Sequence, residues 1–343
     1  MNDETKGMKD DGPHDNGDAQ TVPFDPLDDE IGPCPHRDRS QGRWLHRPVG
    51  GRRGNHGRVS SWPTRDASSA AESSPDDWIS IIAGSPALSR LPSFDTVAQM
   101  RDDGVRRALA FVTSAYGGYS SCRQYQEDIA RARDHVENAP AMIRLRQFYD
   151  HPLFVERFAT DLRAALDAAA PGARVVFTAH SVPDAADAVA GPPELGGHLY
   201  SRQVQEASRL VADAVGVREY DVVWQSRSGP PSVPWLEPDV VDHVTALATG
   251  QGVTDVVVVP IGFISDHVEV IWDLDTELVD EVRDLGVTVT RCATPGPSRE
   301  FARMIVELLD EAESGVIQSR PGCVPSLGMN RDGARCAVGC CSR

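Results

Sequence analysis

The run VVVVPIGFISDHVEVIWDLDTE, Val256–Glu277, opens as a buried strand and ends crowded with Asp266, His267, Glu269, Asp273, Asp275 and Glu277. Consecutive valines read as a strand covered on both faces, because a strand with one wet face would alternate apolar and polar residues. The strand is read over TDVVVVPIGF (254–263). From Asp266 onward the sequence reads as a helix that starts at the strand's carboxyl end. A buried strand that delivers ionisable side chains to its exit is the layout of a site at the mouth of a parallel sheet.

The same alternation extends outward in both directions. RVVFTAHSVP (174–183), DVVWQSRSG (221–229), RALAFVTSAY (107–116) and VTVTRCAT (287–294) read as further strands. Between them lie helical segments. HPLFVERFATDLRAALDAA (151–169) carries Phe154, Phe158, Leu162 and Leu166 on one stripe, and HLYSRQVQEASRLVADAVGV (198–217) turns Val204, Ala207, Leu210, Val211 and Val215 inward. DVVDHVTALATGQGV (239–253) has Gly250 and Gly252 at its end, where a left-handed cap is expected. Strands alternating with helices predict an α/β fold with parallel sheets covered on both sides. The loops after Phe177, Trp224 and Pro260 then meet at one cleft.

Composition excludes several classes. The 343 residues carry a formal charge of −17, which opposes nonspecific nucleic-acid binding and a polybasic membrane contact. No apolar run reaches the roughly 18 residues of a membrane-spanning helix. The polar start MNDETKGMKDDG lacks the apolar core of a secretory signal, so a cytoplasmic protein is expected. No residue pattern specifies an oligomer. Of seven cysteines, Cys323, Cys336, Cys340 and Cys341 crowd the C-terminus. A metal or iron–sulfur site is the expectation there, with unpaired thiols as the alternative.

Two features carry chemistry. His180 follows RVVFTA and precedes Pro183, so it stands at a strand exit, where a neutral imidazole serves as base or metal ligand. The alternative is a histidine satisfied by backbone groups. Glu269, Asp273 and Glu277 lie four apart, on one face of a helix, drifting about 40° per step. A slightly wider helix would align them fully, and π-type turns occur at functional sites. A solvated acidic face is the bland reading; hard-cation binding or proton uptake is the functional one.

VVFTAHSVP, VVWQSRSGPPSVPWLEPDV and VVVVPIGFISDHVEVIWDLDTE, in that order, closely resemble the ferrochelatases. AFVTSAYGGYSSCRQYQEDI is similar to the porphyrin-pocket segment of the actinobacterial coproporphyrin type. The resemblance runs from about Asp95 to Leu309, plus the cysteine tail. It implies a chelatase-like fold of two Rossmann-like parallel-sheet domains, and insertion of Fe²⁺ into coproporphyrin III in heme biosynthesis. It implies that His180 and Glu269 face one another across the porphyrin, in metal delivery and removal of pyrrole protons, with His267 supporting the glutamate. Asp273 and Glu277 match a carboxylate ladder that guides metal inward or protons outward, and Tyr125 a propionate contact. A [2Fe–2S] cluster is implied through Cys336, Cys340 and Cys341, with Cys122 or Cys323 as fourth ligand. Trp224, Trp235 and Trp272 are candidate pocket walls.

Residues Met1–Ser93 depart from the pattern. Gly, Pro, Ser, Asp and Arg dominate, without a period of 2 or 3.6. No loop like SFGGPE or GGxSPIN occurs there. Residues 1–93 are therefore expected to be disordered or aberrant, with one short element near Trp78 in DDWISIIAG. Residues 94–150 are expected to be the remainder of a first, incomplete Rossmann-like domain, 151–312 the second with the metal-site residues, and 313–343 a cysteine-containing tail. A shifted reading frame before Phe94 is the favoured origin, a divergent fusion the other, and translation of the other frames separates them. An incomplete first domain would expose a sheet edge and one side of the site, and so predicts either a working chelatase, for iron or another divalent metal, or an inactive porphyrin- or metal-binding remnant.

Overall fold

The chain folds as strands followed by helices, and its computed structural model describes residues 77–82, 94–317, 322–330 and 334–342. All of these belong to one unit, Pro48–Arg343. The remaining expectation for 1–93, disorder or aberrance, lies outside the described residues apart from one element. That element is strand β1, Asp77–Ile82, at the position expected near Trp78.

In chain order there follow α1 (Phe94–Asp102), β2 (Arg107–Val112), a π-helical turn Tyr119–Arg123, α2 (Gln124–His135), β3 (Ala141–Arg144) and α3 (Pro152–Ala168). The second half contains β4 (Arg174–His180), α4 (Asp184–Ala188), α5 (Leu199–Val215), β5 (Tyr220–Gln225), α6 (Val240–Gln251) and β6 (Asp255–Val259). A helix then runs through α7 (Val268–Val270), a π-helical stretch Ile271–Glu277 and α8 (Leu278–Arg283), before β7 (Thr288–Arg291) and α9 (Arg299–Ser314). β3 and α4 were not anticipated. Four residues, Ala-Met-Ile-Arg, are too few to display a period.

The strands form two parallel sheets, β1-β2-β3 and β5-β4-β6-β7. In the second, β4 lies between β5 and β6, so the strand order reverses around it. Such a reversal opens a crevice beyond the carboxyl ends of the strands. His180 pairs with Gln225 at that end of the ladder.

The valine runs behave as strands covered on both sides. Phe177, Val257 and Val259 join one core with Phe154, Phe158 and Leu162 of α3 and Val204, Ala207, Leu210 and Val211 of α5. Val176, Val256 and Val258 face a second core with Val244 and Leu247 of α6 and Val270, Leu274, Leu278 and Val282. Gly216 and Gly252 close α5 and α6 in the left-handed conformation, as expected of residues without a Cβ. Among the described residues no helix is long and apolar enough to cross a membrane.

Candidate active site

β4 ends at His180 and β6 at Val259, side by side in the sheet. The loop after β6 must cross close over β4 to bring its charges to His180. Gly262 makes that crossing: its N–H donates to the Thr178 carbonyl at 3.1 Å, and a Cβ there would lie 2.5 Å from that of Ala179. The loop then lifts Asp266 and His267 to the start of α7, and Glu269 turns back toward β4.

His180 Nε2 lies 3.3 Å from Glu269 Oε1, with both side chains half-exposed. The opposite ring nitrogen, Nδ1, meets the Ser181 carbonyl, which only accepts, so Nδ1 carries a hydrogen. Tyr200 donates its hydroxyl to the His180 carbonyl at 2.7 Å and fixes the backbone under the ring. With Nδ1 committed, Nε2 and the carboxylate are two acceptors facing each other unless one proton or one cation sits between them. His267 Nδ1 stands 4.0 Å from the other oxygen of Glu269.

Behind this pair the helix widens. Glu269, Asp273 and Glu277 form one row, and Val270, Leu274, Leu278 and Val282 form the adjacent buried row. Both rows repeat every four residues. Such a repeat is the signature of a helix slightly wider than 3.6 residues per turn, and Ile271–Glu277 is π-helical. Asp273 is gripped from β5: Gln225 Nε2 donates at 3.1 Å and the Ser226 hydroxyl also donates to it. The Gln225 amide is oriented by Thr178, whose hydroxyl donates to its oxygen at 3.1 Å. Ser226 adopts a positive φ of 61°, which aims its hydroxyl back at the helix. Partial burial pushes the Glu277 carboxyl up, and the charges of Asp273, Asp239 and Glu281 push it further. Arg291 pairs with Asp275 and Asp266 on the other side of the helix.

Sequence reasoning missed Gln225, Ser226, Tyr200 and Arg291. Ser226 had a local signal in QSRSG; the others depend on strand register and chain crossing. Trp224 is core, packed against Tyr200 with ring centroids 5.8 Å apart, while Trp272 is exposed at the helix surface. Tyr125 is buried on α2, next to the Arg144 charge, and burial raises its hydroxyl pKa.

The cysteines divide. Cys340 and Cys341 Sγ are 3.9 Å apart, and Cys336 is hydrogen-bonded to Cys340. Those mutual hydrogen bonds from Cys340 lower the Cys336 and Cys341 thiols, with help from nearby arginines. Arg123 ties this tail to the first half of the chain through the Cys340 carbonyl at 2.6 Å. Cys122, the residue before Arg123, is buried, and its sulfur takes N–H bonds from Arg144 at 3.1 Å and Gln147 at 3.3 Å. Cys323 lies elsewhere, its N–H on Glu206. Among the described residues no three His, Cys, Asp or Glu side chains converge on a single metal ion.

The family profile described as Ferrochelatase matches residues 91–313. The chain belongs to the ferrochelatase family. The match starts three residues before Phe94, where the sequence changes texture. The coproporphyrin III ferrochelatase of Nocardia farcinica is 57% identical over 72% of this chain and 72% of its own length. That of Corynebacterium glutamicum is 54% identical over 72% of this chain and 69% of its own. A solved structure, SirB from Bacillus subtilis with Fe3+, superposes with a TM-score of 0.48 at 14% identity, covering 66% of this chain and 81% of that one. Within a ferrochelatase, the pair at the end of β4 and the acidic row behind it form the candidate metal-handling centre.

Proposed function

We propose that this chain inserts Fe²⁺ into coproporphyrin III, with His180 and Glu269 as the reacting pair. The observation that carries the reading is their 3.3 Å approach at the exit of adjacent strands, with the imidazole tautomer set by Ser181. The relatives' names supply the substrate class; the chemistry follows from the site. Metalation removes two pyrrole N–H protons for each Fe²⁺ that enters, with no change of oxidation state. Nε2 and the carboxylate face one gap, a geometry suited to passing a proton or a metal ion between them. Asp273 and Glu277 continue the negative row away from the pair, and the raised Glu277 carboxyl suits a group that takes up protons and passes them to water.

Tyr125 is read as a propionate contact on the resemblance of its segment to the family's; the Arg144 charge nearby agrees with a carboxylate there. Cys336, Cys340 and Cys341, which hydrogen-bond in series, are read as ligands of a [2Fe–2S] cluster, with Cys122, the residue before the arginine that holds the tail, as the fourth. A two-iron centre spreads its four thiolates over two metals, so ligands need not converge on one point. The buried Arg144 Nε has no hydrogen-bond partner among the described residues, as expected of a cation poised for an anionic group. When bound, such a cluster would exchange one electron and tie the tail to the π-helical turn before α2; the chelation itself uses no electron.

The test is anaerobic turnover with coproporphyrin III and Fe²⁺, followed by metalloporphyrin absorbance, with His180→Ala beside it. Turnover that this substitution abolishes supports the reading. Folded protein without turnover would identify a binding remnant in which the residues before Phe94 do not complete the site.

A further inference from the structure

A π-helical stretch is rare and needs support from outside its own hydrogen bonds. The row Glu269, Asp273, Glu277 depends on that widened geometry, and its negative charges repel one another. Three supports are visible. The row Val270, Leu274, Leu278, Val282 is buried against the second sheet. Gln225 and Ser226 hold Asp273 on the front. On the back is Arg291, the last residue of β7.

Asp275 lies two residues beyond Asp273, so in a helix with a four-residue repeat, about 90° per residue, it projects to the opposite side, about 180° away. Arg291 grips it with two bonds, Nε to Oδ1 at 2.6 Å and Nη2 to Oδ2 at 2.9 Å. The same guanidinium reaches Asp266 at 2.9 Å through Nη1. Asp266 precedes the helix and Asp275 lies within the π-helical stretch, so one largely buried cation fixes both ends of the segment that carries Glu269 and Asp273. The rigid fork of arginine suits this bidentate grip; lysine would supply charge without the geometry.

We infer that Arg291 is a positioning residue for metal handling: it holds the π-helical stretch in the rotation that keeps Glu269 and Asp273 in one row. Its donors are spent on Asp275, Asp266 and the Cys292 carbonyl. The inference rests on the reading of that row as the metal path.

Its test measures Co²⁺ binding by quenching of tryptophan fluorescence, which needs no turnover, together with coproporphyrin III affinity and the thermal midpoint. Arg291→Met is expected to weaken Co²⁺ binding about tenfold and leave porphyrin affinity unchanged. Arg291→Lys should recover only part of the loss. Should Arg291→Met fail to fold, Asp275→Asn, a partly exposed position, removes the same grip from the helix side and should show the same selective loss. Wild-type protein that binds Co²⁺, with both variants binding it equally well, overturns the clamp alone. Equal losses of porphyrin and Co²⁺ affinity also overturn it, as a general structural effect. Wild-type protein with no Co²⁺ quenching overturns the metal path and the clamp with it.

Discussion

His180 donates from Nδ1 to its neighbour's carbonyl and presents Nε2 to Glu269 at 3.3 Å, a separation that suits one proton or one cation shared by the two side chains. Groups that share one particle act as a unit, and their losses do not add. His180→Ala and Glu269→Gln are each expected to lower kcat for Fe²⁺ insertion by at least about a hundredfold, the lower range for general acid–base work. The double variant should be scarcely worse than either single one. Anaerobic initial rates on all three would show it; additive losses would mean the residues act in separate steps.

Gln225 is fixed by Thr178 so that its amide N–H bonds face Asp273. Gln225→Leu leaves the carboxylate with the Ser226 hydroxyl as its β5 donor and removes a hydrogen bond to a charged group, a loss of about 1.5–3 kcal/mol for that contact. Its expected effect is a several-fold rise in the KM for metal, with the porphyrin KM unchanged. Thr178→Val, which frees the amide to flip, should reproduce part of the effect from two bonds away. An unchanged metal KM in both would remove Asp273 from the metal path.

The second half of the fold is legible in the sequence because β6 is an unbroken valine run, β4 and β5 carry paired valines, and its helices show apolar stripes. β3 is not, since Ala141–Arg144 carries no period and is defined by its pairing with β2. The reacting pair is legible as two polar residues at two strand exits, but their approach depends on Gly262 letting one chain cross the other. The four-residue spacing of Glu269, Asp273 and Glu277 announces a widened helix. What holds it there does not appear in the spacing, because Arg291 comes from another strand and Gln225 from the β4–β5 register. Likewise, cysteine spacing leaves Cys122 and Cys323 equal, and only the chain's path sets Cys122 beside Arg144.

His151 makes stability depend on pH. Burial, reinforced by the charge of Arg146, lowers its pKa to about 3, and its Nδ1 caps α3 by accepting from Leu153 N–H. The unfolded chain takes up this proton near pH 6.5 and the folded chain does not. Stability from this residue is therefore present above about pH 6.5 and is lost as pH falls toward 3, at up to about 1.4 kcal/mol per pH unit. Asparagine also caps helices but has no proton to gain. His151→Asn is expected to flatten the fall in denaturation midpoint between pH 6.5 and 4; a variant with the same slope as wild type would assign acid sensitivity elsewhere.

The proposed cluster has two candidate fourth ligands, and they lie in different surroundings. Cys122 is buried under two N–H donors and adjoins Arg123, which holds the tail, whereas Cys323 sits at Glu206. Protein isolated without oxygen is expected to show [2Fe–2S] absorbance that Cys122→Ser abolishes and Cys323→Ser retains. Arg144 is buried and donates to Cys122 Sγ at 3.1 Å, so beside the proposed cluster its charge would favour the reduced, more negative state. Arg144→Met should therefore move the midpoint potential to a more negative value in a titration with dithionite, and Gln147→Met, which removes the weaker donor, by less. Absorbance that survives Cys122→Ser but not Cys323→Ser would reverse the ligand choice, and an unmoved potential in both donor variants would leave the buried guanidinium a packing group.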